Sequence, residues 1–368
     1  MKVLALILLL TDGLCGQWMT GFYSAQNGVM PVSSIPWNKY THIVHFAAST
    51  DGSGNVVPYY LSQAEITELI ASRPPGKKVL VCIKDNDSNS AFFFKSTSPE
   101  TIGAFVDNIA SFVAANGYDG VDLDWEQNIN IAQYENLLVR LRIAIPAKII
   151  TVDVGNWGGL DTVTAATYSA LDQINVMCYD MDDGQNCNGH PCTAWYNSAL
   201  FQNGQSDKRT CDWRVRAFTS RGVPNNKIGI GLPFFGRRWV GMTVVQASGI
   251  FLTYTITYRD LVTDRARWQP QYQFYDGAFK ASYLSIPPLN EFVSYTGTQS
   301  IRDAAGWQKA QGFGGFMTYT LEYEYLPAAT GDASHPLSTA LYKEVFAGAT
   351  QAANPQLAIP SDSPPRAR

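Results

Sequence analysis

Between Tyr118 and Asn128 the chain reads YDGVDLDWEQN, with four acids, Asp119, Asp122, Asp124 and Glu126, set among apolar residues. In an extended strand side chains alternate sides. Asp122, Asp124 and Glu126 then share one face, and Val121, Leu123 and Trp125 share the other. Burying an unpaired carboxylate is costly, and such a group takes up a proton instead. Three on one face are a liability for a strand that only supports a fold. Neighbouring carboxyls raise one another's pKa and can share a proton. The outermost, Glu126, is thereby placed to stay protonated near neutral pH and to act as a general acid. Two other arrangements would account for the row: a hard-metal site for magnesium or calcium, and an edge strand with a solvated acidic face. No phosphate-binding glycine loop accompanies it.

Such a row needs a scaffold that brings strand ends together. Short β-branched runs alternate with helix-like stretches along the chain. The expected strands are Met19–Ser24, Thr41–Ala47, Lys78–Ile83, Gly120–Trp125, Lys148–Val154, Gln173–Tyr179, Lys227–Phe234 and Gly314–Thr320. Between the third and fourth, a helix is expected to start from a Ser98 cap and stop at Gly117. Eight strands alternating with helices point to an α/β fold, a (β/α)8 TIM barrel, with a doubly wound open sheet as the other arrangement. In a barrel the acidic face turns to the axis, near the C-terminal strand ends where barrel enzymes build their sites. The seventh gap is much the longest, so residues 240–300 are expected to form a small α+β insertion between strands 7 and 8. Domain bounds follow: 1–16 a secretory signal peptide, 17–348 the barrel with its insertion, and 349–368 a disordered tail.

The signal is read from MKVLALILLLTDGLCGQW, where one Lys precedes an apolar run too short to span a membrane. This implies a secreted, extracellular protein with no membrane attachment once the signal is removed. The net charge of −4 and the lack of a Lys/Arg run exclude a nucleic-acid surface. A neutral ligand and a monomeric chain are expected, with no cofactor and no metal. Cys82 and Cys178 lie in apolar runs and read as buried thiols. In an oxidising compartment Cys187 and Cys192 are the candidate disulfide, while CNGHPC, with its single His, is a poor metal loop. The 9 Trp and 19 Tyr are expected mostly to pack the core, and a surplus in a cleft would suit a ligand with flat apolar faces, such as a sugar.

The stretch Asp119–Glu126 resembles the DGxDxDxE signature of glycoside hydrolase family 18, the chitinases and their relatives. Further pieces stand in the family's order: TGFYS (Thr20–Ser24), MCYDM (Met177–Met181), GVPNNKIGIGLPFFGRRW (Gly222–Trp239) and SIRDAAGWQKAQGFGGFMTY (Ser300–Tyr319). The resemblance spans Gly21 to Phe346. It implies a chitinase, endo- or exo-acting, that cleaves β-1,4-linked N-acetylglucosamine polymers with the sugar's own acetamido oxygen as nucleophile. By the same resemblance Glu126 protonates the leaving oxygen and then activates water. Asp124 holds the acetamido N–H, Asp122 shares a proton with Asp124, and Tyr179 bonds the acetamido oxygen. Met177, Asp180 and Tyr23 would line the cleavage subsite, and Arg237 would contact the sugar or the insertion. Trp157 and Trp239 could stack on sugar faces. Asp119, on the other alternation phase, and Gly120 are structural parts of the motif. The chain departs from the family in two places. The third strand ends in Cys82-Ile83-Lys84-Asp85 where SxGG is usual, and Tyr319 stands where a Trp is usual. The resemblance leaves two other functions open: a catalytically weak or dead chitin-binding lectin, and an endo-β-N-acetylglucosaminidase acting on N-glycans.

Overall fold

A computed structural model describes residues 17–25, 28–155, 164–181, 187, 189–205 and 209–346. The expected signal peptide, the tail from 349 and Trp157 lie outside these residues. Eight strands are parallel: β1 (Trp18–Tyr23), β2 (His42–Thr50), β3 (Lys78–Lys84), β4 (Gly120–Asp124), β5 (Ile149–Val154), β6 (Gln173–Met177), β7 (Ile228–Pro233) and, last in the chain, β13 (Gly315–Tyr319). Their order is β1-β13-β7-β6-β5-β4-β3-β2, and β1 also pairs with β2. The sheet therefore closes on itself as a (β/α)8 barrel, and the open-sheet alternative falls away. The intervening helices are α1 (Gln63–Ser72), α2 (Ile102–Ala115), α3 (Ile131–Ala144), α4 (Ala165–Ala170), α5 (Cys211–Thr219), α6 (Thr298–Gln311) and α7 (Pro336–Phe346).

The two faces of each strand sort into two apolar layers. Outward residues pack against the helices, among them Val121, Leu123 and Trp125 of the acidic segment. A smaller cluster fills the barrel and holds Phe22, Val44, Leu80, Cys82, Met177 and Met317. Trp125 is fully buried and stacks on Phe93 at 4.8 Å. Deleting a ring so enclosed costs about 3–5 kcal/mol, so this side chain anchors the acidic row from behind. At Gly120 any Cβ would come within 2.0 Å of the Ile149 carbonyl oxygen, which is why the motif carries a glycine where β4 meets β5. Asp119 points to the outer layer, where Arg73 and the Val79 N–H hold its carboxylate.

Helix α2 differs from expectation at its start. It begins at Ile102 behind Thr101, and the Ser98 hydroxyl bonds the Glu100 carboxylate instead of capping. Gly117, at φ +75°, does end it.

The insertion is an antiparallel sheet of β8 (Phe235–Val240), β9 (Leu252–Thr257), β10 (Gln273–Asp276), β11 (Ala281–Ile286) and β12 (Glu291–Tyr295), in the order β9-β8-β12-β11-β10. It starts at Phe235, directly after β7 and ahead of the expected residue 240. The disulfide joins Cys178 to Cys211, so Cys178 is not the thiol expected and the Cys187–Cys192 bridge does not form. Cys192 instead lies on a short strand paired with Ser248–Ile250. The fold brings the end of β6 against the start of α5, a contact between segments 33 residues apart. Among the described residues no helix is long and apolar enough to cross a membrane.

Candidate active site

The ladder sets Asp122 between Cys82 of β3 and Thr151 of β5, and sets Asp124 beside Lys84. Both aspartates are buried, and the Thr151 hydroxyl donates to Asp122 Oδ1. Glu126 stands past the strand end with its residue surface open to solvent. Its turn is held by Asp85, whose Oδ2 accepts the backbone N–H groups of Glu126 and Gln127 at 2.7 Å each. The chain thus uses the acid that replaces the family's last third-strand glycine to brace the end of the acidic row.

A cavity of about 220 Å³ opens over this row. Asp124, Glu126, Met177, Tyr179, Asp180 and Tyr319 line it, together with Phe22, Phe46, Lys84, Asp153, Gly155, Arg214 and Phe235. Tyr319 forms its aromatic floor, 5.4 Å from Phe46, 5.7 Å from Phe22 and 6.4 Å from Tyr179 between ring centres. Lys84 projects along one wall, paired with Asp87 and set 5.6 Å from the Phe46 ring. Asp180, at φ +52°, turns its carboxylate to Arg237 at 2.7 Å. Arg237 also donates to Thr255 of β9, so it ties the barrel mouth to the insertion.

Several residues expected at the site stand elsewhere. Tyr23 points into the helix layer, donates to the Met30 carbonyl at 3.0 Å and stacks on His45. Phe22, one residue earlier, takes the inward phase with Thr20. Trp239 is fully buried in the insertion beside Phe251 and does not reach the cavity. Arg237 is buried behind Asp180 and does not line the cavity wall.

Seven lining residues escaped the sequence reading as site residues, Phe22, Gly155 and Phe235 among them. Asp153 follows the alternation, two residues from the inward Thr151, but stands alone in an apolar run. Lys84 was visible only as a departure from SxGG. Phe46 needed the register of β2. Arg214 lies on α5, far in sequence from any motif. It is buried, and its guanidinium donates to the carbonyl oxygens of Met177 and Tyr179.

The electrostatics follow from burial and crowding. Burial raises Asp124 well above the usual carboxylate range, and repulsion from Glu126 and Asp122 adds to it. Glu126 is raised to about 7, by the surrounding protein first and then by Asp85 and Asp180, with Lys84 and Arg214 acting against them. Its surface is exposed while dense protein surrounds it, so water at the mouth screens part of that shift. Asp85 itself rises to about 6 through burial, despite its two N–H bonds. Burial also keeps the Tyr179 hydroxyl protonated, as a hydrogen-bond donor. The arrangement offers a proton donor at the mouth, a buried carboxyl pair beneath it, a phenol opposite and aromatic rings below. Among the described residues no group of His, Cys, Asp and Glu is set to hold a metal ion.

The sequence profile of Glycosyl hydrolases family 18 matches residues 19–324. Chitinase 1 of Aphanocladium album is 24% identical over 272 residues, covering 68% of this chain and 62% of that relative. The chain therefore spans less than two thirds of that relative's length. The class V chitinase from Nicotiana tobaccum, solved in complex with NAG4, superposes with a TM-score of 0.76 at 18% identity, over 90% of this chain and 99% of that one. A chitinase-like agglutinin from Robinia pseudoacacia superposes at 0.73 and 21% identity, over 89% and 99%. At such identities the structural likenesses speak for the fold alone.

Proposed function

The chain belongs to glycoside hydrolase family 18, and from that membership we propose that it is a chitinase hydrolysing β-1,4-N-acetylglucosamine linkages with retention, through an oxazolinium ion formed by the substrate's acetamido group. The observation that carries this reading is the acid arrangement. Glu126, raised to about 7, stands at the cavity mouth; beneath it Asp122 does not reach the cavity, and Asp124, which does, is raised well above the usual carboxylate range and so is a poor nucleophile. Glu126 protonates the leaving oxygen. Asp124 accepts the acetamido N–H and balances charge on the ring, and Tyr179 donates to the acetamido oxygen. Tyr319 supports the sugar from below, with Met177 at its side. The apolar N-terminal run supports export of the protein from the cell.

The reading is tested by incubation with a chitooligosaccharide and NMR of the first product. The β anomer is expected; an α anomer overturns acetamido participation. Comparing release from chitin oligomers with release from a high-mannose glycopeptide separates this activity from an N-glycan endo-β-N-acetylglucosaminidase. The second reading, a chitin-binding lectin, draws on Lys84, whose side chain takes up cavity wall where the family has glycine.

Asp85 gives a pH test. Glu126 must carry its proton to act as acid, so activity falls as pH rises through its pKa near 7. Asp85→Asn keeps an acceptor for the two N–H groups but removes the negative charge that raises Glu126. Glu126 then loses its proton at lower pH. The alkaline limb of kcat/KM should move to lower pH, and an unmoved limb would show that Asp85 does not act on Glu126.

A further inference from the structure

Asp153 of β5 adds a buried carboxyl to the barrel interior beside Asp122 and Asp124 of β4. Asp153 lines the cavity, whereas Asp122 lies below without reaching it. Asp153 is 2% exposed and Asp122 fully buried. On the ladder Asp122 faces Thr151, and Asp153 stands one inward step further along β5, opposite Asn175. Thr151 satisfies Asp122 Oδ1. Asp122 Oδ2, Asp124 Oδ1 and Asp153 Oδ1 are buried and receive no N–H or O–H. The Asp122 and Asp153 side chains meet at hydrogen-bonding reach, with the Cys82 thiol beside Asp122 and the Asn175 amide beside Asp153. Two acceptors form a bond only when a proton sits between them. One proton removes both penalties at once: the contact of like charges and the unbonded buried oxygens.

We propose that Asp153 is a positioning residue of the reaction: Asp122 and Asp153 hold one proton between them across β4 and β5, which leaves Asp124 to face Glu126 and the substrate. The pair's other neighbours do not supply this proton. The Cys82 thiol flanks Asp122, and Asn175 and Tyr179 lie toward Asp153. Lys84 acts on Asp124. Burial raises both members of the pair, the direction in which a carboxyl keeps its proton. The acidic site then consists of two carboxyl pairs, Asp122 with Asp153 and Asp124 with Glu126. Only the kinetic consequence rests on the function proposed above.

The test is a pH titration by NMR of protein labelled with carboxyl-13C aspartate, as wild type, Asp122→Asn, Asp153→Asn and the double variant. At neutral pH each single variant should retain one proton fewer than wild type, and the double variant also only one fewer. Loss of two in the double variant, or of none in Asp153→Asn, overturns the shared proton. The wild-type titration decides even without variants. A shared proton moves two carboxyl carbons together in two steps, while independent protons move each carbon once. In kinetics, Asp153→Asn should lower kcat for a chitooligosaccharide about tenfold with a smaller change in KM; unchanged kcat overturns the positioning role. A wild type that cleaves no chitooligosaccharide overturns the functional reading, while the proton count still decides on the pair.

Discussion

Glu126→Gln should abolish release of fluorophore from a fluorogenic chitobioside or chitotrioside, with kcat falling roughly 10²- to 10⁴-fold. The amide keeps the shape and bonding reach of the side chain but has no proton to give to the leaving oxygen. Its turn is fixed by the backbone N–H bonds to Asp85, which the substitution leaves in place. Folding and oligosaccharide binding should therefore survive, so KM should change little. Loss of an upper carboxyl also removes the repulsion that Glu126 exerts on Asp124, which makes the variant slightly more stable rather than less. The comparison separates the two functional classes. If wild type releases no more fluorophore than the variant while both bind chitooligosaccharide, the protein is a lectin.

Arg214→Met should lower the unfolding free energy by about 2–4 kcal/mol and kcat by roughly a hundredfold. Arg214 is 3% exposed and gives hydrogen bonds to the carbonyl oxygens of Met177 and Tyr179. Methionine fills the space but donates nothing, and two buried carbonyls lose their partner. Relief of the guanidinium's own desolvation offsets part of the loss; burial already pulls its pKa down to about 10. The carbonyls belong to the segment that presents Tyr179, so the phenol shifts when its backbone is released. The cation also acts against the rise of Glu126's pKa, so the alkaline limb of activity should move to higher pH. Denaturant unfolding and a pH profile measure the two parts. Arg214→Lys should recover the charge but not both bonds. A variant with wild-type stability would show that the carbonyls find other donors.

Much of the barrel was legible because alternation and burial obey the same period. The strand expected at Gly120–Trp125 ends at Asp124, and that at Lys78–Ile83 ends at Lys84. Errors of one to three residues fall where a strand gives way to a site loop. The acids of β4 were legible because a charged residue at every second position has no packing purpose. Asp153 obeys the same rule but is single, and one acid in an apolar run does not announce itself. Tyr23 failed for a different reason. Phe22 and Tyr23 are both aromatic, and only the pleat of β1 decides which turns inward. Trp239 failed because β8 already belongs to the insertion, where a strand-end aromatic has a core of its own to fill. The Cys178–Cys211 pairing and Arg214 depend on α5 docking against β6, a tertiary contact with no local pattern.

The crowded interior also bears on how the folded state responds to pH. Asp122, Asp124 and Asp153 ionise less readily folded than in a solvated chain. Between their unfolded value of 3.8 and their raised native values, the native protein binds more protons than the unfolded one. Their contribution to stability is whole below that unfolded value and drains away as pH rises through the native ones. Unfolding at neutral pH expels protons into the medium. The barrel thus carries its acid as a reservoir that exists only while the chain is wound around it.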